Sequence, residues 1–383
     1  MQCDEQKPAC TNCRNHDIDC TFSAADTRST DGTPPPRNYR FRSYDFTFDN
    51  KRKHKAKASS TTDQHRDSPT ETQPQPPGAI SYPDLQLFHN FVIETYRTLA
   101  DTPEAENVWQ RHIVQWGIAF PSILHLILAI SALHLGHENP ALRDQYVQQA
   151  GDHFTFGVRS VTSILNQLNE DNCQKVYISA VLICFIYFAR RPHAGEYLIF
   201  SDDGPGEWQA LMHGVKLIVQ SYREKVFSGV LKPESGLEDG TIDSVSQSEM
   251  NEYTVHVDAV QSLVEKEIAE SDRGIYDAGI QDLLSVMRAV YMKRSSQIRA
   301  TGFMQVLIGW LYRLPEEMVS LLEQKEPVAL IILAHWGMLL KYMRSVWFME
   351  GWDGHIVSGV RSALPANLQH WIEWLEKKVE KEE

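Results

Sequence analysis

From Ser81 onward apolar residues return at three- and four-residue steps. They fall in blocks: Leu85, Phe88, Val92, Tyr96 and Leu99; Leu124, Ile127, Leu128 and Leu135; Tyr146, Phe154, Val158, Val161 and Leu165. The same spacing continues in Trp208, Leu211, Met212, Val215, Ile218 and Tyr222, then in Ile280, Leu283, Leu284, Met287 and Tyr291. It closes with Phe303, Val306, Leu307, Trp310 and Leu314, and with Leu368, Trp371, Ile372, Leu375 and Val379. Such steps lay side chains on one face of an α-helix, and no strand-like alternation stands between the blocks. Ser81-Tyr-Pro-Asp84 reads as a capping-box entry, and Pro121 and Pro140 sit where first helical turns accept proline. Two stretches, Phe120 to Leu135 and Val328 to Leu340, are apolar nearly all round, which predicts helices enclosed by other helices. Both are shorter than the roughly 20 residues a membrane span needs, and both contain histidine. With no fixed-period repeat, the prediction is an all-α fold: an irregular stack of antiparallel helices in a multi-helix domain.

The first eighty residues break this pattern. Residues 1–22 hold a cysteine segment, and residues 23–80 are polar, with seven prolines and almost no aliphatic side chains. A stretch of that composition cannot bury enough apolar surface to offset its ordering entropy, so 23–80 is expected to be a disordered basic linker. Residues 81–383 form the helical body, interrupted by an acidic, Gly- and Ser-rich stretch near 232–251 that is expected to be a flexible loop. At 383 residues and 42% hydrophobic content the chain can build a substantial core. Residues 1–80 carry twelve Lys and Arg against eleven Asp and Glu, so the body holds all of the net charge of −13. An acidic body does not itself embrace DNA or anionic lipid. Met1 leads into polar residues with no apolar run behind it, so no signal peptide is expected and the thiols are placed in a reducing compartment.

Four of the six cysteines, Cys3, Cys10, Cys13 and Cys20, lie within the first twenty residues at spacings of x6, x2 and x6. Four thiolates are the complement of one tetrahedral zinc, and metal binding would supply folding free energy to a segment too short for a core. The alternative, a redox pair at Cys10 and Cys13, needs a strand-helix-strand surround that the sequence lacks.

The run Cys3-DEQKPA-Cys10-TN-Cys13-RNHDID-Cys20 resembles the second half of the fungal binuclear zinc cluster, in which six cysteines hold two zinc ions. The four thiols match that pattern's third to sixth cysteines, and Lys7-Pro8 matches its connecting loop. In the family the first two cysteines and a basic helix that reads base edges come before the third; here only Met1 and Gln2 stand in that place. The resemblance thus implies a zinc-dependent DNA-binding regulator of RNA polymerase II-type transcription whose DNA-reading half is absent from this chain. A misplaced start or skipped first exon is the expected reason. DNA binding by this polypeptide is expected to be weak or nonspecific, through phosphate contacts of Lys7 and Arg14.

Basic residues concentrate in the linker, most densely at Lys51, Arg52, Lys53, Lys55 and Lys57. An accessible basic tract suits a nuclear import receptor, which predicts a nuclear protein, shuttling from the cytoplasm; ordinary solvated charge is the plainer alternative. In the body, "FPSILHLILAISALHLG" at 120–136 and "PVALIILAHWGMLLKYMRSVWFMEGWDGHI" at 327–356 resemble the effector domain of fungal regulators related to the sterol uptake control proteins. That resemblance covers roughly residues 84–376, and implies an apolar pocket for a sterol or another apolar small molecule, control of a sterol-related or secondary-metabolite gene programme, and contact with the transcription machinery. Trp336, Met343, Trp347, Phe348 and Trp352 are its candidate lining, although aromatic residues at helical spacing serve equally as plain core. His125, His134 and His335 are read as hydrogen-bonded core histidines or as caps for a ligand hydroxyl, and Cys184 as a packing residue beside Val181, Phe185 and Phe188. No phosphate loop, HExxH or Gly-x-Ser-x-Gly is present, so no enzyme is expected, and an apolar-ligand sensor without specific DNA binding is the competing reading.

Overall fold

The computed structural model describes residues 80–202, 206–232, 242–295 and 299–380. The cysteine segment and the basic tract lie outside them. Within the described residues the body is built almost wholly of helices. The principal ones are α1 (Tyr82–Asn90), α2 (Pro121–Glu138), α3 (Arg143–Ile164), α4 (Cys173–Ala189), α5 (Glu207–Val226) and α6 (Ser244–Glu267). After these come α7 (Arg273–Ser295), α8 (Met304–Arg313), α9 (Glu316–Glu323), α10 (Pro327–Leu339), α11 (Trp352–Ala363) and α12 (Glu373–Glu380).

Two helices organise the core, and both are the ones whose sequence is apolar on every side. Helix α2 packs against α3, α4 and α1, and α10 packs against α11, α6, α7 and α12. Every residue of α10 from Val328 to Leu339 is buried, so the helix is surrounded as its composition requires. Gly337 allows the close approach of α11, because a Cβ there would lie 2.7 Å from Ile356 Cγ2. Pro121 opens α2 at its first turn, and Pro140 opens a short 3-10 turn, Pro140–Leu142, ahead of α3.

The first helix enters as its sequence says. The Ser81 amide donates to Asp84 Oδ2 at 2.7 Å, the Asp84 amide donates to the Ser81 carbonyl at 3.2 Å, and a capping box with proline in the first turn results. Its buried face is turned from the expected one, although Phe88 and Val92 pack half-buried against the core as expected. Leu85 is 54% exposed, while Asp84, Leu87, Phe91 and Thr95 point inward. Asp84 takes the inward position because its carboxylate is bonded there. The π-helical segment Phe91–Thr95 then adds a residue to the turn and restores burial at Tyr96 and Leu99.

Two other expectations are corrected. The stretch near 232–251 is not loop throughout, for α6 begins at Ser244, where the Asp243 carboxylate accepts from the amides of Val245 at 3.0 Å and Ser246 at 2.9 Å. Ser and Asp that read as loop composition are here a cap and a first turn. A two-stranded antiparallel hairpin also occurs, β1 (Glu196–Tyr197) and β2 (Phe200–Ser201), where only helices were expected. It seats on α11: Gly359 leaves the space that the Tyr197 ring occupies, since a Cβ at that position would fall 2.1 Å from Tyr197 Cδ1.

Candidate functional site

Cys3, Cys10, Cys13, Cys20, Lys7, Arg14 and the tract Lys51, Arg52, Lys53, Lys55 and Lys57 all lie outside the described residues. Among the described residues no group of three or more His, Cys, Asp and Glu is placed to hold a metal ion. Nor is any helix there long and apolar enough to cross a membrane.

The five residues read as a possible ligand wall are well placed in the structure and mostly buried. Trp336, Met343, Phe348 and Trp352 are between 0% and 2% exposed, and Trp347 is half-buried. Trp336 stacks on Trp310 at 5.7 Å and donates its indole N–H to the Leu307 carbonyl at 2.9 Å. Trp352 meets Tyr187 and Phe188 and donates to the Phe188 carbonyl at 3.0 Å. Phe348 packs on Phe185. Trp347 donates to Thr98 Oγ1 at 3.0 Å and lies against His134. Each of the three indole N–H groups is satisfied by protein, and their rings serve different parts of the core.

The histidines divide in the same way. His134 Nδ1 meets Thr95 Oγ1 at 3.0 Å, and Thr95 also receives the Asn90 amide at 3.0 Å, so the π-helical turn is pinned to α2. Burial pushes the His134 imidazole toward its neutral form. His125 Nδ1 lies 2.9 Å from His153 Nδ1, and His153 Nε2 lies 3.1 Å from Asp84 Oδ1. With Asp84 accepting, His153 Nε2 is the donor of that contact, and one proton bridges the two Nδ1 atoms. This chain joins α1, α2 and α3 where the body begins. His335 differs from expectation: it is 2% exposed and its Nδ1 has no hydrogen-bond partner, while its carbonyl accepts from Tyr253 at 2.8 Å. Its imidazole is pushed down to about 3, chiefly by burial.

Sequence reading missed two features. The first is the pairing of Asp84, read from sequence only as a helix cap, with His153, which no spacing links to it. The second is a cleft of about 210 Å³ lined by Glu249 and Glu252 of α6, Tyr291 of α7, Met338 of α10, Lys341 just beyond it, and Trp374 and Lys378 of α12. Its residues come from α6, α7, α10, the turn after α10 and α12, spread between residues 249 and 378. None of the five expected ligand residues lines it.

The comparisons with known proteins agree with one another. Residues 86–273 match the fungal specific transcription factor domain, and residues 1–29 match the fungal Zn(2)-Cys(6) binuclear cluster domain. Over 98% of its length the chain is 24% identical to a Zn(2)-C6 fungal-type transcription factor of Gibberella zeae, of which it covers 82%. A stretch of 142 residues, 37% of this chain, is 28% identical to a Zn(2)-C6 fungal-type transcription factor of Aspergillus fumigatus and covers 31% of that protein. A further match, 25% identical over 28% of this chain, is to Sterol uptake control protein 2 of Saccharomyces cerevisiae, of which it spans 11%.

Proposed function

Because this chain belongs to the fungal Zn(2)-Cys(6) transcription factors, a family of zinc-containing DNA-binding regulators, we propose that its helical body receives the input that governs a zinc-nucleated segment at the N-terminus. The observation that carries this reading is the pairing in one chain of a zinc-cluster match at residues 1–29 with a regulator-domain match at residues 86–273. The donor set fits the metal. Cys3, Cys10, Cys13 and Cys20 offer four thiolates, the ligand type zinc takes in structural sites. Zinc would supply folding free energy there and no reaction chemistry. Lys7 and Arg14 are then the phosphate-contacting side chains, and Lys51, Arg52, Lys53, Lys55 and Lys57 the import tract that brings the protein to the nucleus, where this family works.

We assign the chain no catalytic role. Control of a sterol-related programme draws support from the similarity to the yeast sterol uptake control protein, over about a quarter of this chain. An apolar ligand among Trp336, Met343, Trp347, Phe348 and Trp352 would have to part side chains that are packed together and hydrogen-bonded. Tethering the full chain to a reporter promoter through an added DNA-binding module tests the central reading. Reporter transcript should change severalfold relative to the module alone, in either direction. An unchanged transcript would overturn it.

A further inference from the structure

The segment that opens the body carries two complete helical faces, one residue apart. Asp84, Leu87, Phe91 and Thr95 follow steps of three, four and four residues, and none is more than 8% exposed. Leu85, Phe88, Val92, Tyr96 and Leu99 keep the same steps one place later, and of these only Tyr96 and Leu99 are buried. An offset of one residue on an α-helix is a turn of about 100°. The chain therefore enters on the first face and leaves on the second, and the π-helical segment Phe91–Thr95 is where it changes over.

Polar partners hold the first face in place. Besides the Asp84 contact to His153, Asn90 Nδ2 donates to Ser131 Oγ at 3.1 Å, and the Ser131 hydroxyl donates to the Leu87 carbonyl at 2.7 Å. The decisive contact lies at the π-turn itself. The Tyr96 amide donates to the Phe91 carbonyl, five residues back, whereas an α-turn would give it the Val92 carbonyl. That carbonyl accepts instead from Gln110 Nε2 at 2.9 Å. Gln110 belongs to a second π-helical segment, Val108–Ile113, so one irregular turn latches the other.

The alternative register is the more apolar one. With the π-turn closed into an α-turn, each residue upstream moves into the place of the one before it: Leu85 takes that of Asp84, Phe88 that of Leu87 and Val92 that of Phe91. Exchanging Leu and Phe for Phe and Val removes a single methylene, a change that cores tolerate, while Leu85, now 54% exposed, gains a buried position. Against this stand the bonds lost at His153, Ser131 and Gln110. Apolar burial and hydrogen bonding thus favour opposite registers, the condition for an element with two packings. We propose that α1 and its π-turn are a register switch latched by Gln110. When Gln110 releases the Val92 carbonyl, the π-turn closes, and α1 turns by about 100° and shifts by about 1.5 Å along its axis, so that the chain leaves its first turn in a new direction. As a relay between the body's input and the front of the chain the switch rests on the reading of the body given above, but register is measured without DNA or transcription, so the two can fail separately.

Alkylation of the full chain by N-ethylmaleimide, mapped by peptide mass spectrometry, is the test. In the latched register the thiol introduced by Leu85→Cys should react at least tenfold faster than that introduced by Leu87→Cys, whose position is 1% exposed. Adding Gln110→Leu should slow the reaction at position 85 at least threefold and speed it at position 87 at least threefold, because position 85 then takes the buried place of Asp84 and position 87 the exposed place of Gln86. In a chain that also lacks Ile93, where the π-turn has no extra residue to expel, Gln110→Leu should change neither rate. Unchanged rates on adding Gln110→Leu, a rise at both positions together, or changes that persist without Ile93 would each overturn the switch.

Discussion

His335 shows most plainly what single residues contribute. A buried imidazole that meets the Tyr253 and Trp374 rings, with His256 nearby, binds a proton in the unfolded chain near pH 6.5 but in the folded chain only near 3, chiefly because of burial. Its folded value is depressed, so it leaves stability unaffected above about pH 6.5 and subtracts from it progressively as pH falls toward 3. Urea unfolding of the full chain at pH 7, 5.5 and 4.5 should show stability falling, with about 1.4 kcal/mol per pH unit attributable to this residue. His335→Phe should flatten that slope by about this amount, leaving the smaller parts from His134, His193 and His256, which burial also lowers. The sequence placed His335 inside an apolar helix but carried no sign that its Nδ1 lacks a hydrogen-bond partner, because Tyr253 approaches from 82 residues away and bonds its carbonyl instead. His125 and His134 were legible as hydrogen-bonded core histidines; their partners His153 and Thr95 were not, since long-range polar pairs leave no periodic trace.

At the scale of elements, periodicity succeeded wherever a helix is apolar throughout or on one broad face, as in α2, α5 and α10. It failed where a polar residue takes an inward place. Asp84 does so in α1, and the π-helical turn after it returns the expected Tyr96 and Leu99 to the buried side. The α10–α11 contact gives a direct check on packing. Gly337→Ala would put a Cβ 2.7 Å from Ile356 Cγ2 and should destabilise the body by about 1–3 kcal/mol in denaturant unfolding. Gly274→Ala, in the first turn of α7 with nothing within 4 Å of the new atom, should be neutral or stabilising by about 1 kcal/mol or less. Equal effects of the two would contradict the packing described for the core.

For the whole molecule, the division of labour follows from composition. A body that carries all of the net negative charge and gathers its apolar residues inside is suited to holding shape. The match to a DNA-binding zinc cluster falls instead on the cysteine-bearing front of the chain, where negative charge does not accumulate as it does in the body. The all-helical class and the zinc-cluster family were readable from spacing and from the Cys3–Cys20 run, while the charged cleft was not, because its lining is assembled from separate elements spread between residues 249 and 378. Inductively coupled plasma mass spectrometry of the purified full chain tests the central claim most directly. The account predicts about one tightly held zinc per chain or more, lost in Cys10→Ser/Cys13→Ser while the helical circular dichroism of the body persists. A chain free of zinc, or one that keeps all its zinc after both substitutions, would contradict it.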